Sequence, residues 1–317
     1  MADHKKTVVI AFGGNAITPE KGKGNFQEQL DNIRKACRAL VDPIKRGYRM
    51  VITHGNGPQV GFALIKNEMA KDVLPPLPLD ACGANTQGVL GYAVQQQLIN
   101  VLNQALVKRE VAALITQTKV DLNDEAFSNP TKPIGPFYSE EQAKKMMEEN
   151  PNVVMKEDSG RGWRRVVPSP KPIEIIGVKA IKELVKNDFI VIALGGGGIP
   201  VVEENGQLRG VEAVIDKDRA SQRLAADLKA DYLVLLTGVP KVYLNFGTPQ
   251  QKPLDRITVS EARKYIEDGC FAAGSMLPKI EASVEFVEES GGKAIITDFE
   301  NISDALREQA GTIIVED

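Results

Sequence analysis

Histidine is nearly absent from this chain of 317 residues; the two present are His4 and His54. Nothing near His54 in sequence marks a partner for it, so histidine is not expected to carry the chemistry. Cysteine is scarce too: Cys37, Cys82 and Cys270 lie far apart and form no CxxC. That spacing speaks against a disulfide framework and against zinc, and no metal-ligating set is expected. With no histidine placed beside them, the thiols are read as packing residues. An excess of positive charge is also missing. The net charge is −3 and the pI about 5.7, which argues against a nucleic-acid partner. No apolar run approaches a membrane span, and the run after Met1-Ala-Asp-His-Lys-Lys is too short for a signal-peptide core. A cytoplasmic protein without membrane contact is expected. Tandem repeats and low-complexity tracts are lacking as well. What remains is an ordinary globular balance, 43% hydrophobic and 26% charged, long enough for one large domain or two lobes sharing a sheet.

Short β-branched runs alternate with helix-length amphipathic segments. Strands are expected at Thr7 to Phe12, Arg49 to Thr53, Val111 to Gln117, Phe189 to Leu194, Tyr232 to Leu236 and Lys293 to Thr297. Helices are expected at Phe26 to Lys45, Val60 to Lys71, Gln87 to Lys108 and from Asp216 to about Lys229. Strands separated by helices, many ending in glycines, predict an α/β fold around a mostly parallel sheet covered on both faces. Ligands of such sheets bind beyond the carboxyl ends of the strands. The stretch from Asp121 to Pro172 breaks the rhythm. It holds Asn129-Pro-Thr-Lys-Pro-Ile-Gly-Pro136, an acidic helix near Ser139 to Glu149, and a second proline-rich run. It is too long for a simple connection and reads as an inserted subdomain over a site.

Several loops could carry chemistry. Gly13-Gly14-Asn15-Ala16 follows the first strand and His54-Gly-Asn-Gly-Pro-Gln-Val-Gly61 the second. Each alone is compatible with an ordinary turn; side by side they would face one anion across two neighbouring strands. His54 is read as a structural loop histidine rather than a base. Gly195-Gly-Gly-Gly198 ends a third strand and matches neither a Walker A loop nor GxGxxG. Four glycines there are read as having no packing purpose, clearing a surface for a phosphate. Asp216-Lys217-Asp218 opens a helix, and Lys279 lies in the first turn of another, behind Pro278. A lysine at a helix N-terminus opposes the helix dipole, so both invite an anion. Leu236-Thr-Gly-Val239 ends another strand. Lys132 stands between Thr131 and Pro133, on backbone stiff enough to aim a side chain.

Glycine loops and aimed lysines, without histidine or reactive cysteine, suit phosphoryl transfer. That reaction needs alignment and positive charge on the moving oxygens. An acceptor that is already an anion needs no general base, which favours a carboxylate or carbamate over a hydroxyl.

Over nearly its full length the chain resembles the carbamate kinases of the amino-acid kinase family. The matching stretches include Val9 to Ala16, His54 to Gly61, Pro78 to Asp80, Thr86 to Gly88, Asn129 to Phe137, Gly160 to Arg164, Pro168 to Pro172, Gly195 to Val201, Val211 to Asp218 and Gly274 to Glu281. The resemblance implies an open αβα sandwich with a protruding subdomain at 121–172. It implies a carbamate lobe over 1–209 and a nucleotide lobe over 210–317. It further implies ATP or ADP with Mg2+, carbamate and carbamoyl phosphate as ligands, and a homodimer. Lys132, Lys217 and Lys279 would be the cationic trio, with Asp218 orienting Lys217. Gly13, Gly14, Asn15, Gly55, Asn56 and Gly57 would line the acceptor site. Gly195, Gly196, Gly197, Gly198, Thr237, Gly238, Val239, Met276 and Pro278 would border the nucleotide. Many amino-acid kinases carry a lysine where this chain has Ala11; carbamate kinases lack it, and Lys217 would take its place. Phe12 stands where the family has leucine, which puts no role in doubt. The implied activity is reversible phosphoryl transfer between ATP and carbamate, run toward ATP in arginine catabolism. Two other readings stay open. One is a relative acting on another small carboxylate, against which the insertion motifs speak. The other is a nucleotide-binding pseudo-kinase sensor, against which the retained lysines speak.

Overall fold

The computed structural model describes residues 5–14, 17, 25–151, 153–158, 160, 162–272 and 274–317. An eight-stranded sheet forms its centre. In spatial order the strands are Arg256–Thr258, Thr312–Val315, Lys293–Thr297, Tyr232–Leu236, Thr7–Phe12, Arg49–His54, Ile190–Ile192 and Val111–Ala113. All strands from Lys293–Thr297 to Val111–Ala113 are parallel. Thr312–Val315 runs antiparallel to Lys293–Thr297 and parallel to Arg256–Thr258.

The unbroken apolar run Val8 to Phe12 is what a central strand with two covered faces requires. Its alternate residues enter different cores. Val9 and Ala11 join Val51, Val191, Leu233 and Leu235 on one face. Val8, Ile10 and Phe12 join Met50, Ile52, Ile190 and Ile192 on the other. Helices Val178–Lys186, Lys217–Leu228 and Leu277–Ser290 close the first face through Ile181, Leu224 and Ile280. Helices Phe26–Ala39 and Leu79–Gln104 close the second through Ile33, Leu90, Val94 and Leu98. Each fully buried aliphatic side chain contributes roughly 1.5–3 kcal/mol, so the period-two pattern holds the three layers together. The result is the expected αβα sandwich.

The segment that broke the rhythm builds its own antiparallel sheet, Lys132–Tyr138, Trp163–Val167 and Val154–Glu157. Helix Glu140–Glu149 accompanies it, opened by a Ser139–Gln142 capping box. A further sheet pairs Gln207–Gly210, Ile199–Glu204, Gln117–Lys119 and Glu174–Ile176.

Four boundaries differ from expectation. The helix predicted over Phe26 to Lys45 is two, Phe26–Ala39 and Val41–Lys45. Pro43 has no N–H, and its ring opposes a helical carbonyl at Ala39. The helix predicted from Gln87 starts at Leu79, directly after Pro78, despite Gly83 and Gly88 within it. The strand predicted from Val111 to Gln117 is divided between two sheets, Val111–Ala113 and Gln117–Lys119. Between them the Gln87 amide pairs with both backbone groups of Thr116, at 3.0 and 2.9 Å, and turns the chain. The strand predicted to reach Leu194 stops at Ile192; Leu194 has φ +53, which leaves the extended region.

A close backbone contact helps tie the inserted sheet to the body. Gly61, on helix Gly57–Ala70, lies so close to strand Lys132–Tyr138 that a Cβ there would stand 2.4 Å from Gly135 Cα. Overpacking of this kind costs about 1–3 kcal/mol. Gly61→Ala is therefore expected to lower unfolding stability by that amount in a urea titration, and to raise amide exchange across residues 132–138. Gly88→Ala, exposed with no heavy atom within 4 Å of its new Cβ, is expected to raise stability by about 0.5–1 kcal/mol.

Candidate active site

The carboxyl ends of Thr7–Phe12, Arg49–His54 and Tyr232–Leu236 lie side by side in the sheet. From Thr7–Phe12 the chain first builds toward Arg49–His54 and later returns to build on the opposite side. The order reverses at this point, where open sheets of this type hold their ligands.

Three lysines converge on two aspartates there. Lys217 Nζ donates to Asp218 Oδ1 at 2.6 Å, and Lys279 Nζ to Asp218 Oδ2 at 2.9 Å. Lys132 Nζ reaches from the inserted sheet to Asp216 Oδ2 at 2.6 Å. The lysines come from three separate elements, the strand Lys132–Tyr138 and the helices Lys217–Leu228 and Leu277–Ser290. Asp216 is the N-cap of helix Lys217–Leu228: its Oδ1 accepts from the N–H groups of Asp218 and Arg219 at 2.9 and 3.4 Å. One aspartate thus starts the helix that carries Lys217 and also anchors Lys132. The sequence showed Asp216 in its motif but gave it no role, because a carboxylate in that position is ordinarily only a cap.

Its inner part is buried, with side-chain exposures of 15% for Lys217, 10% for Lys279 and 8% for Asp218, whereas Lys132 is 38% exposed. Burial alone would raise the Asp218 carboxyl, but the Lys217 and Lys279 ammoniums outweigh it and hold it well below the usual carboxylate range. Burial likewise opposes Asp216 ionisation, and Lys132 overcomes it. The two buried lysines differ. Burial lowers Lys217, yet its place between Asp218 and Asp216 leaves it above its ordinary value. Lys279 falls below its ordinary value through burial and the neighbouring Lys217 charge. Lys279 is therefore the more readily deprotonated of the pair.

Gly55 borders this cluster, and Gly13 borders the end of strand Tyr232–Leu236. A Cβ on Gly55 would stand 3.4 Å from Lys217 Cδ, and one on Gly13 would stand 3.0 Å from the Leu236 carbonyl oxygen. Gly14 and Gly57 have open space where a Cβ would be. Asn15 lies outside the described residues. Thr237, Gly238 and Val239 follow strand Tyr232–Leu236, with Thr237 N–H bonded to the Thr297 carbonyl at 2.9 Å. Met276 and Pro278 sit at the N-terminus of the helix that carries Lys279.

The reading of Gly195 to Gly198 as free of packing is corrected. They form a single tight turn, Gly196 to Gly198 all with positive φ. Side chains there would strike the protein itself. A Cβ would stand 2.6 Å from His54 Cε1 at Gly195, 2.2 Å from Asn56 Nδ2 at Gly196, 2.5 Å from the Ile215 oxygen at Gly197 and 2.1 Å from Thr118 Oγ1 at Gly198. The turn wedges the Asn56 loop against the segment that leads into Lys217. Thr116 Oγ1 fixes its entry by accepting from Leu194 N–H at 2.7 Å. Nothing in the sequence marked Gln87, Thr116 or Thr118 for this duty, since buried polar residues carry no local pattern. His54 is buried and neutral; burial lowers its pKa, and its Nδ1–H donates to the Gly55 carbonyl at 3.0 Å.

Comparisons with known proteins agree with this architecture. The profile described as "Amino acid kinase family" matches residues 6–298. The carbamate kinase of Thermococcus kodakarensis is 49% identical over 315 residues, covering 98% of this chain and 100% of that protein. The carbamate kinase of Latilactobacillus sakei is 48% identical over 314 residues, covering 98% of this chain and 99% of its own. The solved structure "Carbamate kinase from Giardia lamblia bound to AMP-PNP" superposes with a TM-score of 0.93 at 45% identity, covering 99% of both chains. With a buried lysine–aspartate cluster at the reversal point of its sheet and full-length likeness to these proteins, this chain belongs to the amino acid kinase family and, within it, to the carbamate kinases.

Proposed function

We propose that the chain catalyses reversible phosphoryl transfer between ATP and carbamate, giving ADP and carbamoyl phosphate. The observation that carries this reading is the convergence of Lys132, Lys217 and Lys279 on only two carboxylates. The cluster holds one cation more than it has anions before any ligand enters. A carbamate oxygen attacks the γ-phosphorus in line, the new P–O bond forming as the bond to ADP breaks. Negative charge spreads over the equatorial oxygens, where Lys217 and Lys279 meet it. Asp218 holds both ammoniums in place, and Lys132 holds the carbamoyl phosphate end from the inserted sheet. The acceptor is already an anion, so no base is required.

Residues 1–209 form the acceptor lobe in this reading, with Gly13, Gly14, Asn15, Gly55, Asn56 and Gly57 along it. Residues 210–317 form the nucleotide lobe. Gly195 to Gly198, Thr237, Gly238, Val239, Met276 and Pro278 border the nucleotide. Mg2+ would be held by the nucleotide's phosphates rather than by a protein cage: Asp216 and Asp218 are both engaged by lysines, and among the described residues no cluster of acidic, histidine or cysteine side chains would hold an ion by itself. When bound, the ion neutralises charge on the phosphate oxygens. We assign the protein to the cytoplasm, consistent with the finding that no described helix is long and apolar enough to cross a membrane. A homodimer fits the exposed Val89, Tyr92 and Ile99 on helix Leu79–Gln104, and transfer toward ATP in arginine catabolism fits the relatives' activity.

The direct test is ATP formation from ADP and carbamoyl phosphate with Mg2+. Rapid formation is expected; none, with nucleotide still bound, would remove carbamate from the reading. Lys217→Ala should lower kcat at least about a hundredfold, as loss of a transition-state donor does, with nucleotide affinity less affected. Lys132→Ala should raise KM for carbamoyl phosphate more than for ADP, and an unchanged KM would take Lys132 out of the site. A pH profile tests Asp218. Its charge is what raises Lys279 against burial and Lys217. Asp218→Asn should therefore let Lys279 lose its proton earlier, moving the alkaline limb of kcat/KM to lower pH. A limb that stays in place would mean that Lys279 does not act as an ammonium.

A further inference from the structure

Asn56 occupies the N-cap position of helix Gly57–Ala70, yet its side chain caps nothing. An asparagine there ordinarily turns its amide oxygen onto the first free N–H groups of the helix. Here the amide is turned aside and held by Thr86. Asn56 Nδ2 donates to Thr86 Oγ1 at 2.7 Å, and Thr86 Oγ1 donates to the Gly83 carbonyl at 2.7 Å. A hydroxyl has one proton, and a carbonyl can only accept. Oγ1 is therefore an acceptor toward Asn56, which fixes the amide with NH2 toward Thr86 and Oδ1 away from it. Thr86 is 5% exposed, so no competing water reaches that bond freely. Asn56 Oδ1 receives no hydrogen bond from any described residue. The amide lies against Gly196, whose Cβ would come 2.2 Å from Nδ2 and 2.5 Å from Oδ1, and the preceding Gly55 abuts the Lys217 side chain. An acceptor has been left without a partner among the described residues, one residue from the glycine that borders the Lys217 side chain, and the ordinary capping bond has been given up.

We propose that Asn56 Oδ1 accepts a hydrogen bond from the amino group of the acid being phosphorylated. Thr86 is the positioning residue that keeps the oxygen turned to it. This rests on the carbamate reading above and adds the source of its selectivity. Carbamate and acetate share shape and charge; they differ only in NH2 against CH3. Lysines and glycine loops address the oxygens and cannot separate the two. A fixed acceptor can: a methyl group would displace its water and return no hydrogen bond.

The matched probes are carbamoyl phosphate and acetyl phosphate, each assayed with ADP and Mg2+ and compared as a ratio of kcat/KM. The ratio does not depend on how much of a preparation is folded. Asn56→Leu removes the acceptor, and Thr86→Val frees the amide to turn over. Each is expected to lower the carbamoyl-to-acetyl ratio by at least about tenfold, through loss with carbamoyl phosphate. The double variant should fall no further than Asn56→Leu, since both act through one atom. Thr86→Ser, which restores the hydroxyl, should restore the ratio. An unchanged ratio in Asn56→Leu, or equal losses with both substrates, would overturn the proposal while leaving the carbamate reading intact. A wild-type enzyme that used neither acyl phosphate would overturn that reading and this inference with it.

Discussion

Two buried ammonium groups share a single carboxylate, and the rest of the structure is arranged around that fact. The Lys217 charge disfavours the Lys279 ammonium; two like charges about 4 Å apart repel by roughly 4 kcal/mol at an effective dielectric of 20. Removing Asp218 would take from both buried charges their hydrogen-bonded carboxylate and leave Asp216 as the remaining anion near them, which is costly for groups out of water. Asp218 divides its two oxygens between them, at 2.6 and 2.9 Å. That suffices for folding but leaves positive charge over, and a phosphoryl group in flight is the natural complement to it. The resting site is thus incomplete electrostatically, in the sense that completes itself when the transferring group is most negative.

Such a cluster needs rigid support, because a shift of an ångström would lose it. Helices Lys217–Leu228 and Leu277–Ser290 bury Leu224 and Ile280 in the same apolar core, so the two lysines are set by packing rather than by loops. Asp216 adds the third lysine without a new element, since the oxygen that does not cap the helix holds Lys132. The position of the inserted sheet and the start of helix Lys217–Leu228 are then one variable. The Gly61–Gly135 contact is the second point at which that sheet is registered against the body.

The layers were legible in the sequence because hydrophobic periodicity is a local signal. Val8 to Phe12 announces a strand buried on both faces, and the observed division of its residues between two cores follows from period two alone. Lys217 and Lys279 were legible because lysine in a first turn contradicts the helix dipole. Elements were misjudged where a distant group decides the local outcome. Gln87 diverts the chain at Thr116 across a sequence separation that no pattern reveals. Gly195 to Gly198 looked like a cleared surface because a sequence cannot show that His54, Asn56, Ile215 and Thr118 already fill it. Asp216 was hidden by its resemblance to an ordinary cap.

Violations of local rules concentrate in this one region. A helix begins with lysine, a second carries a buried lysine in its first turn, an N-cap asparagine does not cap, and three successive glycines adopt positive φ. The lysines and the missing cap are unfavourable alone, whereas the positive φ angles cost glycine little. They are linked through the chain: the glycine turn packs against Asn56 and Ile215, and Ile215 leads directly into the helix that carries Lys217 and Asp218. The compensation comes from elsewhere, from the two apolar cores that flank the central sheet. A stable interior of that size lets the cluster keep an excess of positive charge, which under the proposed reaction is the condition for binding the transition state more tightly than either substrate.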